Sequence, residues 1–173
     1  DAEINGSVQI GDDAIIEGET QFKGARIRGT FNLGRAKLSN AGGDALFAPN
    51  VNVGGDLLML DEFEALGRTL IIGAVIGGSI ICTDSKFINP DGDALDATNA
   101  QVGGDVYLRS NFEAQGRVLL HGGKFGGNIE FGNSSLTNTE GESLLAANVK
   151  VGGDVLMTDG SKFAGRVNFL SAE

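Results

Sequence analysis

Seven short segments of this chain alternate apolar and polar residues in the same phase, and each follows a glycine-bearing corner. The clearest copies are Val53-Gly54-Gly55-Asp56-Leu57, Val102-Gly103-Gly104-Asp105-Val106 and Val151-Gly152-Gly153-Asp154-Val155, set 49 residues apart. Ile76-Gly77-Gly78-Ser79-Ile80 and Phe125-Gly126-Gly127-Asn128-Ile129 stand 23 residues after the first and second of these. Nearer the N-terminus, Ile10-Gly11-Asp12-Asp13-Ala14 and Ile27-Arg28-Gly29-Thr30-Phe31 take the same place. The polar slot then reads Asp13, Thr30, Asp56, Ser79, Asp105, Asn128, Asp154, in steps of 17, 26, 23, 26, 23 and 26. The short first step reads as a deletion in the opening turn. A fixed step of this length marks a repeat architecture in which each unit buries its apolar face against its neighbours.

Alternation with a period of two marks a strand with one buried face. The first inward positions are Ala14, Phe31, Leu57, Ile80, Val106, Ile129 and Val155. The second are Ile16, Leu33, Met59, Cys82, Leu108, Phe131 and Met157. Both columns are apolar throughout. A second strand slot contains Thr20-Gln21-Phe22, Thr69-Leu70-Ile71, Val118-Leu119-Leu120 and Val167-Asn168-Phe169, with Asp44-Ala45-Leu46 and Asp93-Ala94-Leu95 in the alternate coils. A third carries one large apolar column: Leu38, Phe63, Phe87, Phe112, Leu136 and Phe163. The expected fold is therefore all-β: a right-handed parallel β-helix of about seven coils of about 24 residues, with three short strands per coil. Coils stacked at ~4.8 Å make a rod of roughly 30–35 Å. Residues 1–173 read as a single β-helix domain and as a fragment of a longer repeat protein. The opening coil reads as incomplete, and no amphipathic helix caps the last turn.

Composition adds the corners. There are 28 glycines and two prolines, which predicts repeated sites of positive φ or close backbone approach. One cysteine leaves no internal disulfide. The net charge of −10 disfavours binding to a nucleic-acid backbone. No apolar run approaches the roughly 18 residues of a membrane span, and no secretory leader is visible. The expected location is cytoplasmic, with membrane association reserved for segments outside this chain.

The residues that look chemical have structural readings. The slot Asp13, Asp56, Ser79, Asp105, Asn128, Asp154 reads as a polar ladder. Neutral residues between the acids keep like charges from facing each other one coil apart, and the same side chains suit the corner amides. Asp91-Gly92-Asp93-Ala94-Leu95-Asp96 lacks the twelve-residue frame and terminal Glu of a calcium loop. His121, the only histidine, falls on an outward position. Cys82 falls inside, where a thiol is inert. The Gly-Gly pairs lack the Lys-Ser/Thr of a phosphate loop. Arg68, Arg117 and Arg166 recur at the 49-residue step and are expected to pair with nearby acids. No catalytic residue, metal site or cofactor is expected.

The outward column between the two core columns reads Ile15, Asn32, Leu58, Ile81, Tyr107, Glu130, Leu156. With Leu60 beside them, Leu58, Ile81, Tyr107 and Leu156 form the candidate interaction surface. Leu70, Ile72 and Leu119 are expected outward on another face. A contiguous apolar stripe implies a partner. The expected function is a non-enzymatic scaffold or protein-interaction module, with a protein partner or a second copy meeting the stripe or the open ends. The alternatives are a carbohydrate-binding or carbohydrate-active β-helix and an acidic DNA-mimicking rod.

The segments Gly92-Asp93-Ala94-Leu95-Asp96-Ala97, Val102-Gly103-Gly104-Asp105-Val106-Tyr107-Leu108 and Phe112-Glu113-Ala114-Gln115-Gly116-Arg117-Val118 resemble the repeats of bacterial Gly-Gly-Asp-repeat β-helix proteins, a pentapeptide-repeat-like group. The resemblance covers about residues 42–169. It implies a β-helix and a membrane-linked longer parent. Some members bear the label membrane-associated oxidoreductase, but no dinucleotide fingerprint or redox cysteine pair stands here, and no catalytic residue carries over.

Overall fold

The computed structural model describes residues 2–173, and within them every regular element is a β-strand. The strands form three sheets along the rod, and each strand pairs in parallel with its counterparts one coil before and after. Sheet A is built from two-residue strands such as Asn52–Val53, Val75–Ile76 and Gln101–Val102. Sheet B holds Leu57–Leu58, Ile80–Thr83 and Val106–Arg109. Sheet C holds the longer strands Phe63–Leu70, Ser85–Asp96, Glu113–Leu119 and Ser135–Leu145. The architecture is a β-solenoid of about seven turns. Sheet C departs from the expectation of three short strands, since two strand slots have merged there into one bent strand.

The first coil is regular, which corrects the expected deletion. Val8 pairs with Phe31 and Gln9 with Asn32, so the first polar slot is Ser7 and not Asp13. The inward pair is Val8 and Ile10. The corner steps become 23 and 26 in strict alternation. Asp12 and Asp13 instead form the corner between sheets B and C, with φ of 53° and 67°. Ala14 and Ile16 lie in sheet C, where Ile16 pairs with Leu38. Ile15 pairs with Lys37 and leaves the sheet B stripe, where Gln9 takes its place. Two chemically similar corners competed for one sequence pattern, and the backbone pairing chose between them.

Two local devices explain why the true repeat is a pair of coils. Shorter coils turn from sheet B to sheet C on two left-handed residues, such as Asp61-Glu62 and Ser110-Asn111; longer coils use one, Arg35, Asp84 or Asn133. Longer coils then insert four residues into sheet C. Leu66 pairs with Ile88, but Thr69 pairs with Leu95. Four gained and one lost give the three-residue difference between the steps. The inserted residues bulge outward as ribs at residues 40–44, 89–93 and 138–142. Gly67, Gly116 and Gly165 lie opposite them at φ 118°, 116° and 134°, where a Cβ would strike the carbonyl oxygens of Asn40, Asn89 and Asn138.

The interior trades large for small side chains. The expected single column of large residues is two columns in register. One holds Phe63, Ser85 and Phe112; the other holds Ala65, Phe87 and Ala114. Between the second and sixth coils each coil places one bulky and one small residue and the next exchanges them, whereas Ile16 with Leu38 and Leu136 with Phe163 keep one column at the two ends. The rings therefore stack on a zigzag, with Phe63 to Phe87 and Phe87 to Phe112 both at 5.4 Å between centroids. That spacing suits tilted aromatic pairs. Sheet A repeats the trade once: the Phe125 ring, 2% exposed, lies where a Cβ on Gly123 would stand.

Candidate functional site

The polar slot after the glycine corners is a relay between coils, running from Ser7 to Thr30 and then from Asp56 to Asp154. Thr30 N donates to Ser7 Oγ at 3.0 Å. Further along, Ser79 N donates to Asp56 Oδ1 at 2.8 Å, Asp105 N to Ser79 Oγ at 3.1 Å, Asn128 N to Asp105 Oδ1 at 2.7 Å and Asp154 N to Asn128 Oδ1 at 2.8 Å. Each side chain reaches across the second glycine of the next corner to accept that bond. A Cβ at Gly78, Gly104, Gly127 or Gly153 would fall on the accepting oxygen. These glycines have no positive φ; they exist for close approach alone. Asp13 lies outside the relay and receives Arg35 Nη2 at 2.8 and 2.7 Å.

Tyr107, Asp105 and Arg109 form a cluster that the other coils lack. The Tyr107 hydroxyl donates to Asp105 Oδ2 at 2.8 Å. Arg109 lies over the ring, 4.3 Å from its centroid, and donates to Glu130 Oε2 at 2.6 Å. The Asn128 amide, and after it the Tyr107 hydroxyl, hold the Asp105 carboxyl below the usual carboxylate range. The same bond, read from the other side, raises the phenol. Tyr107 is thus engaged at its hydroxyl and covered on one face, which removes it from the free apolar stripe.

The rest of the stripe divides. Leu58 pairs with Ile81 in sheet B, both are half-buried, and Leu60 lies two residues beyond Leu58 against the Gly34 turn. Glu130 separates this patch from Leu156, which is 37% exposed in the last coil. Leu70 and Leu119 stand outside the core cluster, yet they are only 6% and 7% exposed. His121 sits half-buried, its Nδ1 without a hydrogen-bond partner. Cys82 is fully buried, and desolvation pushes its thiol up. Among the described residues, no group of three or more His, Cys, Asp or Glu side chains converges as a metal site would need, and no helix is long and apolar enough to cross a membrane.

The ribs are the feature that sequence reasoning missed. Asn40, Asn89 and Asn138 close them by donating from Nδ2 to the carbonyls of Asp44, Asp93 and Glu142 at 3.0, 2.9 and 2.8 Å. Each rib acid is gripped by the arginine of the following coil: Arg68 Nε to Asp44 at 2.6 Å, Arg117 Nε to Asp93 at 2.7 Å and Arg166 Nη2 to Glu142 at 3.2 Å. Asn168, followed by Arg166, lowers the Glu142 carboxyl. Between the second and third ribs lies an open groove of about 700 Å³, floored by Glu113, Gln115 and Arg117 and walled by Asp91 and Thr139. The signal was present in the sequence as Asn-x-x-Gly-Asp/Glu at the 49-residue step.

Fold and faces together define a class: a parallel β-solenoid whose polar ladder and paired ribs tie each coil to the next. No family profile, curated protein or solved structure matches the chain.

Proposed function

We propose that this chain is a non-catalytic scaffold whose rigid faces carry protein interactions. One observation carries the reading: the polar side chains that stand in rows along the rod are engaged in holding it together. Asp105 accepts from Asn128 N and from the Tyr107 hydroxyl, Glu142 is held by Asn168 and Arg166, and Cys82 is sealed in the core. The half-buried Leu58, Leu60 and Ile81 on the flat sheet B face supply an apolar patch of the kind a partner or a second copy covers.

The test is light scattering on the intact chain and on Leu58→Lys/Ile81→Lys. Both side chains face outward, so the variant keeps its β circular dichroism. An assembled wild-type chain and a monomeric variant support self-association through this patch. Equal masses in both forms exclude it and leave a heterologous partner as the reading of the face.

A further inference from the structure

The three ribs share what the fold demands of them: the closing asparagine, the terminal acid, the opposing glycine and the clamping arginine. The remaining positions are free to differ, and they differ in a directed way. Between the first and second ribs the floor carries Leu66, 37% exposed, which pairs with the half-buried Ile88. Between the second and third ribs the place of Leu66 is taken by Gln115, and Asp91, Glu113 and Glu140 surround it. Arg117 is already held by Asp93. Among the described residues, Asp91, Glu113 and Glu140 make no salt bridge. An apolar pair, Leu66 and Ile88, therefore lies beside an acidic groove, with the exposed tip of the second rib, Pro90-Asp91-Gly92, next to both.

Leu66 and Gln115 are two coils apart, about 10 Å at the usual strand spacing. A polyproline-II segment advances ~3.1 Å per residue with three residues per turn, so residues i and i+3 lie on one side of it and span about the same distance. We propose that this ribbed face docks a polyproline-II segment of a protein partner bearing an apolar side chain and, three residues away, a lysine or arginine. The segment crosses the second rib along the rod axis. Its apolar side chain covers Leu66 and Ile88, and its cation enters the groove beside Asp91, Glu113 and Glu140. The acidic lining and the net charge of −10 draw a basic segment in, with a rate that falls as salt rises. The proposal rests on the interaction-module reading but on a different face from Leu58 and Ile81.

The experiment is selection of a random displayed-peptide library on the immobilised intact chain, followed by fluorescence anisotropy of the enriched peptides. The expected result is enrichment of apolar-x-x-Lys/Arg, in either chain direction. Binding should weaken about tenfold or more in Asp91→Lys and in Leu66→Asp, the scale of losing a central contact. It should weaken with added salt and stay unchanged in Ile81→Lys. All three substitutions are at outward positions, and circular dichroism checks that each keeps its β spectrum. Peptides lost with Ile81→Lys but indifferent to Asp91→Lys overturn the proposal while keeping the module reading. Failure to enrich any peptide overturns the proposal, and the light-scattering test then judges the module reading separately.

Discussion

The second glycine of each Gly-Gly corner is explained by the atom its missing Cβ would meet. At Gly127 that atom is Asp105 Oδ1, the acceptor for Asn128 N. Gly127→Ala must break the relay or shift a corner whose own amide donates to Gly104 O at 2.9 Å. Its expected cost is about 2 kcal/mol or more. Gly132→Ala, whose Cβ would find its nearest neighbour at 3.4 Å, should stay within about 0.5 kcal/mol of wild type; urea denaturation of the two variants compares them. Asp105 allows a pH test. Its folded carboxyl titrates below the unfolded value, so its stabilisation is present above about pH 4 and lost as acid protonates the folded group. Asn128 already fills this slot with an amide. Asp105→Asn should therefore keep the fold and show a shallower loss of stability below about pH 4, measured by thermal melts across the acid range.

Packing errors at the scale of the strand are shared between coils. Ser85 occupies the small position beside Phe87 and is 1% exposed, yet its hydroxyl has no partner. Ala36 fills the equivalent place two coils earlier. Ser85→Ala should consequently be neutral or stabilising by up to about 1 kcal/mol, since it removes an unpaired buried hydroxyl and no packing volume. The Phe125 and Gly123 pair tests the opposite case. Gly123→Ala meets the Phe125 ring and should destabilise strongly, while Phe125→Val leaves a cavity. The neighbouring coils already combine Ala100 with Val102 and Val149 with Val151. The double variant should be more stable than the two single losses predict, with a coupling on the order of 1 kcal/mol in a double-mutant cycle.

For the rod as a whole, stability is a sum over adjacent coils. Interior strands are hydrogen-bonded on both sides, whereas the last coil presents Val155 and Met157 at 39% and 40% exposure. Hydrogen exchange on this chain should proceed from the final coil inward. Amides of Val155–Thr158 should exchange well before those of Val106–Arg109. Uniform exchange along the rod would mean that the coils open as one unit.

The sequence by itself determined the solenoid, the three faces and the inward identity of residues such as Leu57, Ile80, Val106 and Ile129. It could do so because strand alternation and a fixed step are properties of the chain's own order. Pairing between coils decided the rest. Asp13 and Ser7 competed for the first ladder slot, and both follow a glycine within two residues; only the pairing of Val8 with Phe31 separates them. Phe63, Phe87 and Phe112 recur at nearly even spacing in the sequence, yet Phe63 pairs with Ser85, so Phe87 falls two residues further along its strand and into the next column. The ribs were hidden because a bulge is defined against a neighbouring strand, and the exposure of Leu66 or the cover over Tyr107 depends on side chains a full coil away.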